Sequence, residues 1–320
     1  MNIIYFLLQQ TMFFSIPLLV VALGGMFSER GGIVNIALEG TMIIGGFAGI
    51  LFINVMQENA AWFNGQLLLA AAVLVAALSG ALLSLAHAYA SIHMKADQII
   101  SGTAINMFAP AFSIYVARMI RTVQQIPFAN QFRIPSVPIL GSVPVIGPMF
   151  FQNTYITTYL GFLILIAARF LLYKTKFGLR LRACGEHPQA ADSVGINVYA
   201  MRYAGVLISG GLAGLGGLIF VIPTSTSFNA TVSGYGFLAL AVLIFGQWKP
   251  GRILFAAFFF GLMKAVSASY SGISFFMTLG INSSFYKMIP FVATLIVLAF
   301  ASRGTQAPKA AGVPYDKESR

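Results

Sequence analysis

The sequence predicts an all-α fold, a polytopic membrane helix bundle of about nine transmembrane helices. Of its 320 residues, 58% are apolar and only 8% are charged, a composition far from that of soluble globular domains. Because lipid offers the backbone no hydrogen-bond partners, only helices and closed barrels span a bilayer. The apolar runs of this chain are much longer than barrel strands, so the spans are predicted to be helices.

Gly, Pro and charged residues divide the chain into nine hydrophobic segments, most of them near the ~20 residues that a crossing helix needs. A Pro-rich stretch, residues 121–153, is predicted to form a folded external loop, and residues 302–320 a polar cytoplasmic tail. Residues 1–301 then form one transmembrane domain. The predicted segments are 3–27, 33–53, 66–90, 98–119, 154–173, 200–222, 235–248, 253–270 and 285–301.

The basic residues predict the orientation of these segments, because cytoplasmic loops of membrane proteins are rich in Lys and Arg. With the tail in the cytoplasm and nine crossings, 14 of the 19 Lys and Arg residues fall inside, and the N-terminus lies outside. The net charge of +11 therefore follows from topology, and no nucleic-acid partner is expected. Residues 1–29 contain no Lys or Arg, so the first segment is expected to be a retained span, not a cleaved signal.

A charged stretch, KTKFGLRLRACGEHPQAADSVGI from Lys174 to Ile196, lies in the predicted cytoplasmic loop 174–199. Pro188 suits the first turn of a helix and Gly195 the position after its end, which predicts a short helix outside the lipid. Ala190, Ala191 and Val194 would share one small apolar face. Two interpretations are open: a solvated loop whose charges only set the topology, or a docking element for a soluble partner.

A second unusual stretch places the ionisable Glu39 within an apolar run. Such a group costs about 3 kcal/mol unless it faces a cavity, a partner or the bilayer edge. Asn35 would lie one helical turn earlier on the same face, so the two residues could form one polar stripe. The stripe is interpreted either as part of a pathway or hinge, or as packing near the membrane interface.

Other motifs limit the classes of function. Gly45 with Gly49, and Gly210 with Gly214, have the G-x-x-x-G spacing that lets helices approach closely. The single Cys184 excludes an internal disulfide, and the scattered histidines offer no metal site. The chain has no G-x-x-x-x-G-K-[ST] phosphate loop, so if ATP drives this protein, another chain binds it.

Four separated stretches together resemble the permease subunits of bacterial ABC importers. They are FSERGGIVNIALEG, DQIISGTAIN, GLRLRACGEHPQAADSVGI and LIFGQWKPGRILFAAFFFG, and they occur in the order and spacing of that family over roughly residues 1–301. The closest group transports nucleosides and simple sugars and is related to the ribose and branched-chain amino acid permeases. The most specific piece is G-x-x-x-R-A-x-G-E-x-P-x-A-A-x-x-x-G-I, from Gly178 to Ile196.

The resemblance implies a pore-forming subunit of the bacterial cell membrane that performs no chemistry and holds no cofactor. A separate cytoplasmic ATPase would use ATP and Mg²⁺, a related but different permease would form the second half of the pore, and an external lipoprotein or periplasmic protein would deliver the substrate. Asn35, Glu39, Gly40 and Asn106 match family positions near the centre of the bundle and are implied pathway residues. The implied ATPase-coupling residues are Gly178, Arg182, Ala183, Gly185, Glu186, Pro188, Ala190, Ala191 and Gly195.

The N-x-x-x-E-G form from Asn35 to Gly40 is more similar to the nucleoside group than to the ribose group, so nucleosides are the expected substrate. Simple sugars and branched-chain amino acids are the alternatives. An ion-coupled secondary transporter would need several titratable groups near the midplane, and Glu39 is the only carboxylate in the middle of an apolar run. A membrane-embedded enzyme would need a clustered catalytic set, which the sequence does not offer.

Overall fold

Helices make up almost all of the regular structure in the computed structural model, which describes residues 3–60, 62–144, 147–270, 282–301 and 307–317. Two small antiparallel pairs of strands, β1 with β4 and β2 with β3, complete it. The strands are β1 (Ile126–Pro127), β2 (Ile134–Ser136), β3 (Gln152–Thr154) and β4 (Ser227–Phe228). The helices are α1 (Ile3–Arg30), α2 (Leu38–Asn59), α3 (Gly65–Ile92), α4 (Gln98–Arg121), α5 (Ile156–Lys174), α6 (Lys176–Glu186), α7 (Pro188–Ser193), α8 (Val198–Thr224), α9 (Tyr235–Phe245), α10 (Pro250–Ser269) and α11 (Ser283–Ala301).

The predicted helix bundle is confirmed, and each of the nine predicted segments contains one helix. Seven helices in the described part of the chain, α1 to α5, α8 and α10, are long and apolar enough to cross a membrane. By contrast, the 11 residues of α9 extend about 16 Å, roughly half of a hydrocarbon core. The nine crossings and the orientation therefore stay predictions.

Two segment boundaries differ from the predicted ones. The segment predicted to begin at Ile33 forms a helix only from Leu38, because residues 31–37 follow a non-helical path. The segment predicted to end at Trp248 leaves its helix at Phe245 and turns sharply, with Gln247 and Trp248 both in the left-handed backbone region (φ 51° and 52°). Both differences lie at turns that tertiary contacts hold in place.

Helices α1, α2 and α8 form the buried centre of the bundle, whereas α3, α4 and α5 surround it. The outer helices present exposed apolar side chains, which in a membrane would contact lipid. On α3 these are Leu67, Leu74, Leu78 and Leu82, spaced four or seven residues apart and therefore on one face.

Glycines let the central helices approach one another closely, as their spacing predicts. A Cβ atom at Gly45 of α2 would overlap the backbone of Gly214 on α8, and one at Gly80 of α3 would overlap the carbonyl of Gly210. In lipid the hydrophobic effect does not drive helices together, so packing at small residues carries much of the association.

The two ends of the bundle have different structures. At one end, α6, α7, the α1–α2 turn, the α9–α10 turn and residues 307–317 contact one another. At the other end, the loop after α4 pairs with the α8–α9 loop through β1 and β4, and with the segment before α5 through β2 and β3. The first end carries the charged stretch that the sequence places in the cytoplasm.

Replacing Gly45 by Ala should lower the stability of the bundle by about 1–3 kcal/mol, because the added methyl group meets backbone that cannot rotate away. Gly251→Ala is the matched control, since a Cβ there meets nothing within 4 Å. The unfolding temperature in detergent should fall for Gly45→Ala and stay within error for Gly251→Ala. Equal temperatures for both variants would contradict the close α2–α8 contact.

Candidate functional site

The loop between α5 and α8 is mostly helical, and its first part packs tightly against the bundle. Thr175 caps α6, accepting a hydrogen bond from the Gly178 amide at 3.2 Å. Gly178 leaves no room for a side chain because the carbonyls of Leu171 and Leu172 lie against it. Leu181 of α6 is fully buried, so this helix packs against the bundle.

The short helix α7 begins and ends at the residues that the sequence indicates. Pro188 is its first residue, and Gly195, with φ +81°, follows its last turn in the left-handed region where glycine is favoured. The predicted apolar face divides in two: Ala191 is buried, whereas Ala190 is exposed and Val194 is 74% exposed. The helix therefore has one anchored side and one free side.

The four remaining coupling residues make internal contacts at this end. Arg182 lies over the ring of Tyr173, with 5.1 Å between the guanidinium carbon and the ring centroid. Glu186 lies 3.8 Å from Arg30 at the end of α1. Ala183 is half-buried, and its carbonyl accepts a hydrogen bond from the His187 amide at 2.9 Å. Gly185 packs against the carbonyl of Arg30 so closely that a Cβ would overlap it.

Residues 307–317, here called the strap, pack across α6 and α8 instead of extending into solvent. The Ala310 amide donates to the Gly185 carbonyl at 2.9 Å, and the Gly312 amide donates to the Gly32 carbonyl at 3.2 Å. Asp316 pairs with Lys95 at 2.6 Å. The rest of the predicted tail, residues 302–306 and 318–320, lies outside the described residues.

The contacts of the strap involve two side chains to which the sequence assigns no role, Arg202 of α8 and Tyr315 of the strap itself. Arg202, only 1% exposed, donates to the Val313 carbonyl at 3.2 Å. Tyr315 is buried in an apolar cluster with Cys184, Ala191 and Val198. Burial raises the pKa of the Cys184 thiol, with the nearby Arg202 acting in the opposite direction. A Tyr in a polar tail was the signal available in the sequence.

The buried chain between α1 and α2, residues 31–37, leaves the regular helical pattern. The amides of residues 31–33 still bond to carbonyls at the end of α1, and distant side chains supply partners for other backbone groups. The Val34 amide donates to Gln98 Oε1 at 2.7 Å, and the Val34 carbonyl lies 3.1 Å from His87 Nε2. Ser28 donates to the Ile33 carbonyl at 2.7 Å. Because an unpaired backbone group in lipid costs several kcal/mol, these side chains are what allows the break.

Asn35, Gly40 and Asn106, three of the four predicted pathway residues, take part in this same network. Asn35 is 1% exposed and donates to Ser209 Oγ at 2.8 Å. Asn106 accepts from the Gly40 amide at 2.7 Å and donates to the Ile36 carbonyl at 2.9 Å. Gly40 packs against the α4 backbone, where a Cβ would lie 2.7 Å from a carbonyl oxygen.

Glu39, the fourth predicted pathway residue, binds the start of α9. Its carboxylate accepts hydrogen bonds from the amides of Gly234 at 2.9 Å and Gly236 at 2.6 Å. A carboxylate at a helix N-terminus also interacts favourably with the helix dipole. The expectation that Asn35 and Glu39 share one face of a single helix is wrong, because Asn35 lies in the break and Glu39 in the first turn of α2.

A second buried carboxylate, Glu29, was missed because it stands next to Arg30 and resembles an interfacial charge. Trp248 donates its indole N–H to Glu29 at 2.5 Å, and Arg30 donates to the Trp248 carbonyl at 3.1 Å. This double contact fixes the α9–α10 turn on the end of α1. Among the described residues, no group of three or more His, Cys, Asp or Glu side chains could hold a metal.

Comparison with known proteins identifies the family. Residues 7–298 match the family described as the permease component of the branched-chain amino acid transport system. The chain is 42% identical to the nucleoside ABC transporter permease protein NupC of Lactococcus lactis subsp. cremoris, over 99% of this chain and 98% of that protein. It is 43% identical to the guanosine ABC transporter permease protein NupQ of Bacillus subtilis, over 100% of this chain and 99% of that protein.

No solved structure matches the chain. The family match and the relatives agree with the seven described helices that are long and apolar enough to cross a membrane. The chain belongs to the family of branched-chain amino acid transport permease components and is a membrane permease of the ABC transporter class.

Proposed function

We propose that this chain forms half of the membrane passage of a nucleoside importer driven by a separate ATPase subunit. Two relatives that match it from end to end are named for nucleoside and guanosine transport. In this proposal ATP and Mg²⁺ bind to the ATPase, the second half of the passage is a related permease chain, and an external lipoprotein or periplasmic protein delivers the nucleoside.

The observation that carries the mechanism is the two-sided environment of α7. Its inner side is fixed through Ala191 to Tyr315 of the strap and to Val198 of α8. Its outer side presents Ala190 and Val194 at the same end as Arg30 and Glu186. An ATPase that binds the outer side would therefore move α7, the strap and the end of α1 together, which is how a docked subunit transmits a rigid-body movement.

For Asn35, Glu39, Gly40 and Asn106 we propose an indirect role in transport. Each makes hydrogen bonds or close contacts that fix the α1–α2 break or the start of α9. They would shape the wall of the passage by holding backbone in place, while other side chains touch the substrate. Their replacement should then affect stability first and transport as a consequence.

Val194→Asp should weaken association with the ATPase, because it puts a charge on the free side of α7. The permease itself should fold normally, because Val194 is exposed. The measurement is co-purification of the ATPase with the permease, together with ATP-dependent uptake in proteoliposomes. Val123→Asp is the matched control, since Val123 is exposed at the opposite end. Equal retention of the ATPase by both variants would contradict the docking assignment.

Tyr315→Ala should loosen the strap and expose Cys184, because it removes a buried ring from the cluster around that thiol. Local opening then becomes more frequent, and the rate of Cys184 modification by a maleimide should rise about tenfold or more. Cys184 is the only cysteine of the chain, so the signal comes from one site. Tyr115→Ala, at an exposed tyrosine, should leave the rate unchanged; the same rate in both variants would show that the strap does not protect α6.

Asn106→Leu should lower the unfolding temperature in detergent, because it leaves the Gly40 amide and the Ile36 carbonyl without partners. Each orphaned group costs about 1–3 kcal/mol. Asn59→Leu is the control, since the Asn59 side chain is exposed and, within the described part of the chain, bonds only to its own helix. Loss of uptake at an unchanged unfolding temperature would instead assign Asn106 a direct contact with substrate.

A further inference from the structure

A cavity of about 310 Å³ lies at the end of the bundle that carries the β-strands, between α1, the end of α8 and the α8–α9 loop. This volume is at the lower end of the range for small-molecule sites. One part of its wall is aromatic, formed by Phe14, Phe220 and Phe228, and the other part is polar, with Ser225, Asn229 and Thr231. Convergent polar groups beside an apolar wall are typical of a ligand site.

The walls of this cavity are held in place from several directions. Phe228 belongs to β4, which pairs with Ile126 of β1. Asn130 of the loop after α4 donates to the Ile222 carbonyl at 2.8 Å, which fixes the end of α8. Phe220 contacts the ring of Tyr235 in the first turn of α9, with 4.1 Å between centroids. The cavity is therefore lined by α1 and by residues 220–233, and β1, the loop after α4 and α9 support its walls.

The loop that forms the polar wall is strained, and strain of this kind is concentrated at functional sites. Ala230 and Ser233 both adopt the left-handed conformation, with φ 53° and 54°, which side chains other than glycine rarely take. Selection for stability alone would favour glycine at such positions. Asn229 and Thr231, the two neighbours of Ala230, both line the cavity.

Some hydrogen-bonding groups of this polar wall have no partner within the described part of the chain. In the described part of the chain, the Asn229 side chain makes one hydrogen bond: its Oδ1 accepts from the Ser227 hydroxyl at 3.3 Å. Its amide NH₂ is thus available as a donor. Ser225 is exposed, and its hydroxyl can both donate and accept.

The charge of the wall restricts the class of ligand. None of the described residues that line the cavity is charged. The nearby N-terminus of α9, which could otherwise receive a carboxylate, already binds Glu39 through the Gly234 and Gly236 amides. A zwitterionic amino acid would find no counter-charge and would pay for desolvation. A neutral molecule with one flat apolar face and several hydroxyls matches both parts of the wall.

We propose that this cavity is a nucleoside-binding site of the permease itself, which receives the base against the Phe wall and the ribose hydroxyls at Ser225, Asn229 and Thr231. The inference rests on the proposed function and adds a location to it. Glu39 then helps to position the site, because it binds the start of α9 through Gly234, and Gly234 directly follows Ser233 in the cavity wall.

Protection of an introduced cysteine tests the site directly. In the complete transporter reconstituted in proteoliposomes, Ser225→Cys should react with a membrane-impermeant maleimide, while the buried Cys184 reacts little. Guanosine at ten times its dissociation constant should slow the reaction about tenfold, since only about a tenth of the sites stay free. Ser142→Cys, at an exposed serine on the same end, should react at one rate with and without guanosine.

The same experiment separates failure of the site from failure of the proposed function. Guanosine uptake without protection of Ser225→Cys would refute the cavity and leave the nucleoside importer in place. Protection by glucose or leucine but not by guanosine would refute the nucleoside assignment. A transporter that takes up leucine or glucose and no nucleoside would overturn the proposed function together with this inference.

A substitution inside the cavity gives an independent measurement. Asn229→Leu keeps the approximate size of the side chain but removes its donor, so the KM for guanosine uptake should rise about three- to tenfold. ATPase co-purification should not change, because Asn229 lies at the opposite end from α7. Asn59→Leu is the control and should leave KM unchanged; an unchanged KM in Asn229→Leu would count against contact between Asn229 and the substrate.

Discussion

The organisation of this permease depends on one constraint, the need to pair every backbone group where the chain crosses the interior without forming a helix. Residues 31–37 leave buried amides and carbonyls without partners in a regular helix, and such groups are costly away from water. His87 of α3, Gln98 and Asn106 of α4, and Ser28 of α1 supply the partners. Each of these polar side chains is expensive to bury alone, and each becomes favourable only when the break is present. The break and its partners therefore stabilise one another and fix the relative positions of four helices.

This network also connects the two ends of the molecule through continuous contacts. On one side, the Gly32 carbonyl accepts from Gly312 of the strap, and Gly185 of α6 packs on Arg30. On the other side, Glu39 binds the start of α9, which adjoins the cavity at the end that carries the β-strands. Contact alone does not establish energetic coupling. It does mean that a shift of the α1–α2 region would change the contacts at both ends, because the close packing at the glycines leaves no free space.

Much of the fold could be predicted from local patterns, and the parts that could not depend on distant partners. Nine apolar segments and the start and end of α7 follow from hydrophobicity and from Pro188 and Gly195. The close approach of Gly45 and Gly214 follows from residue size. In contrast, the segment from Ile33 is apolar enough to be helical, and only Gln98 and His87, more than 50 residues away, explain why it is not. Likewise, Tyr315 stands out in the polar tail, but only its distant partners Cys184, Ala191 and Val198 explain its burial.

The contacts of the two buried carboxylates argue against coupling of transport to protons. A transporter coupled to protons needs a buried acid that can gain and lose its partner during the cycle. Glu39 is bound by two backbone amides, and Glu29 by an indole N–H and the turn that Arg30 fixes. These donors belong to helix ends and turns, so release of either carboxylate would require the bundle to come apart locally. In the proposed mechanism, the free side of α7 is instead the surface at which a second protein would act.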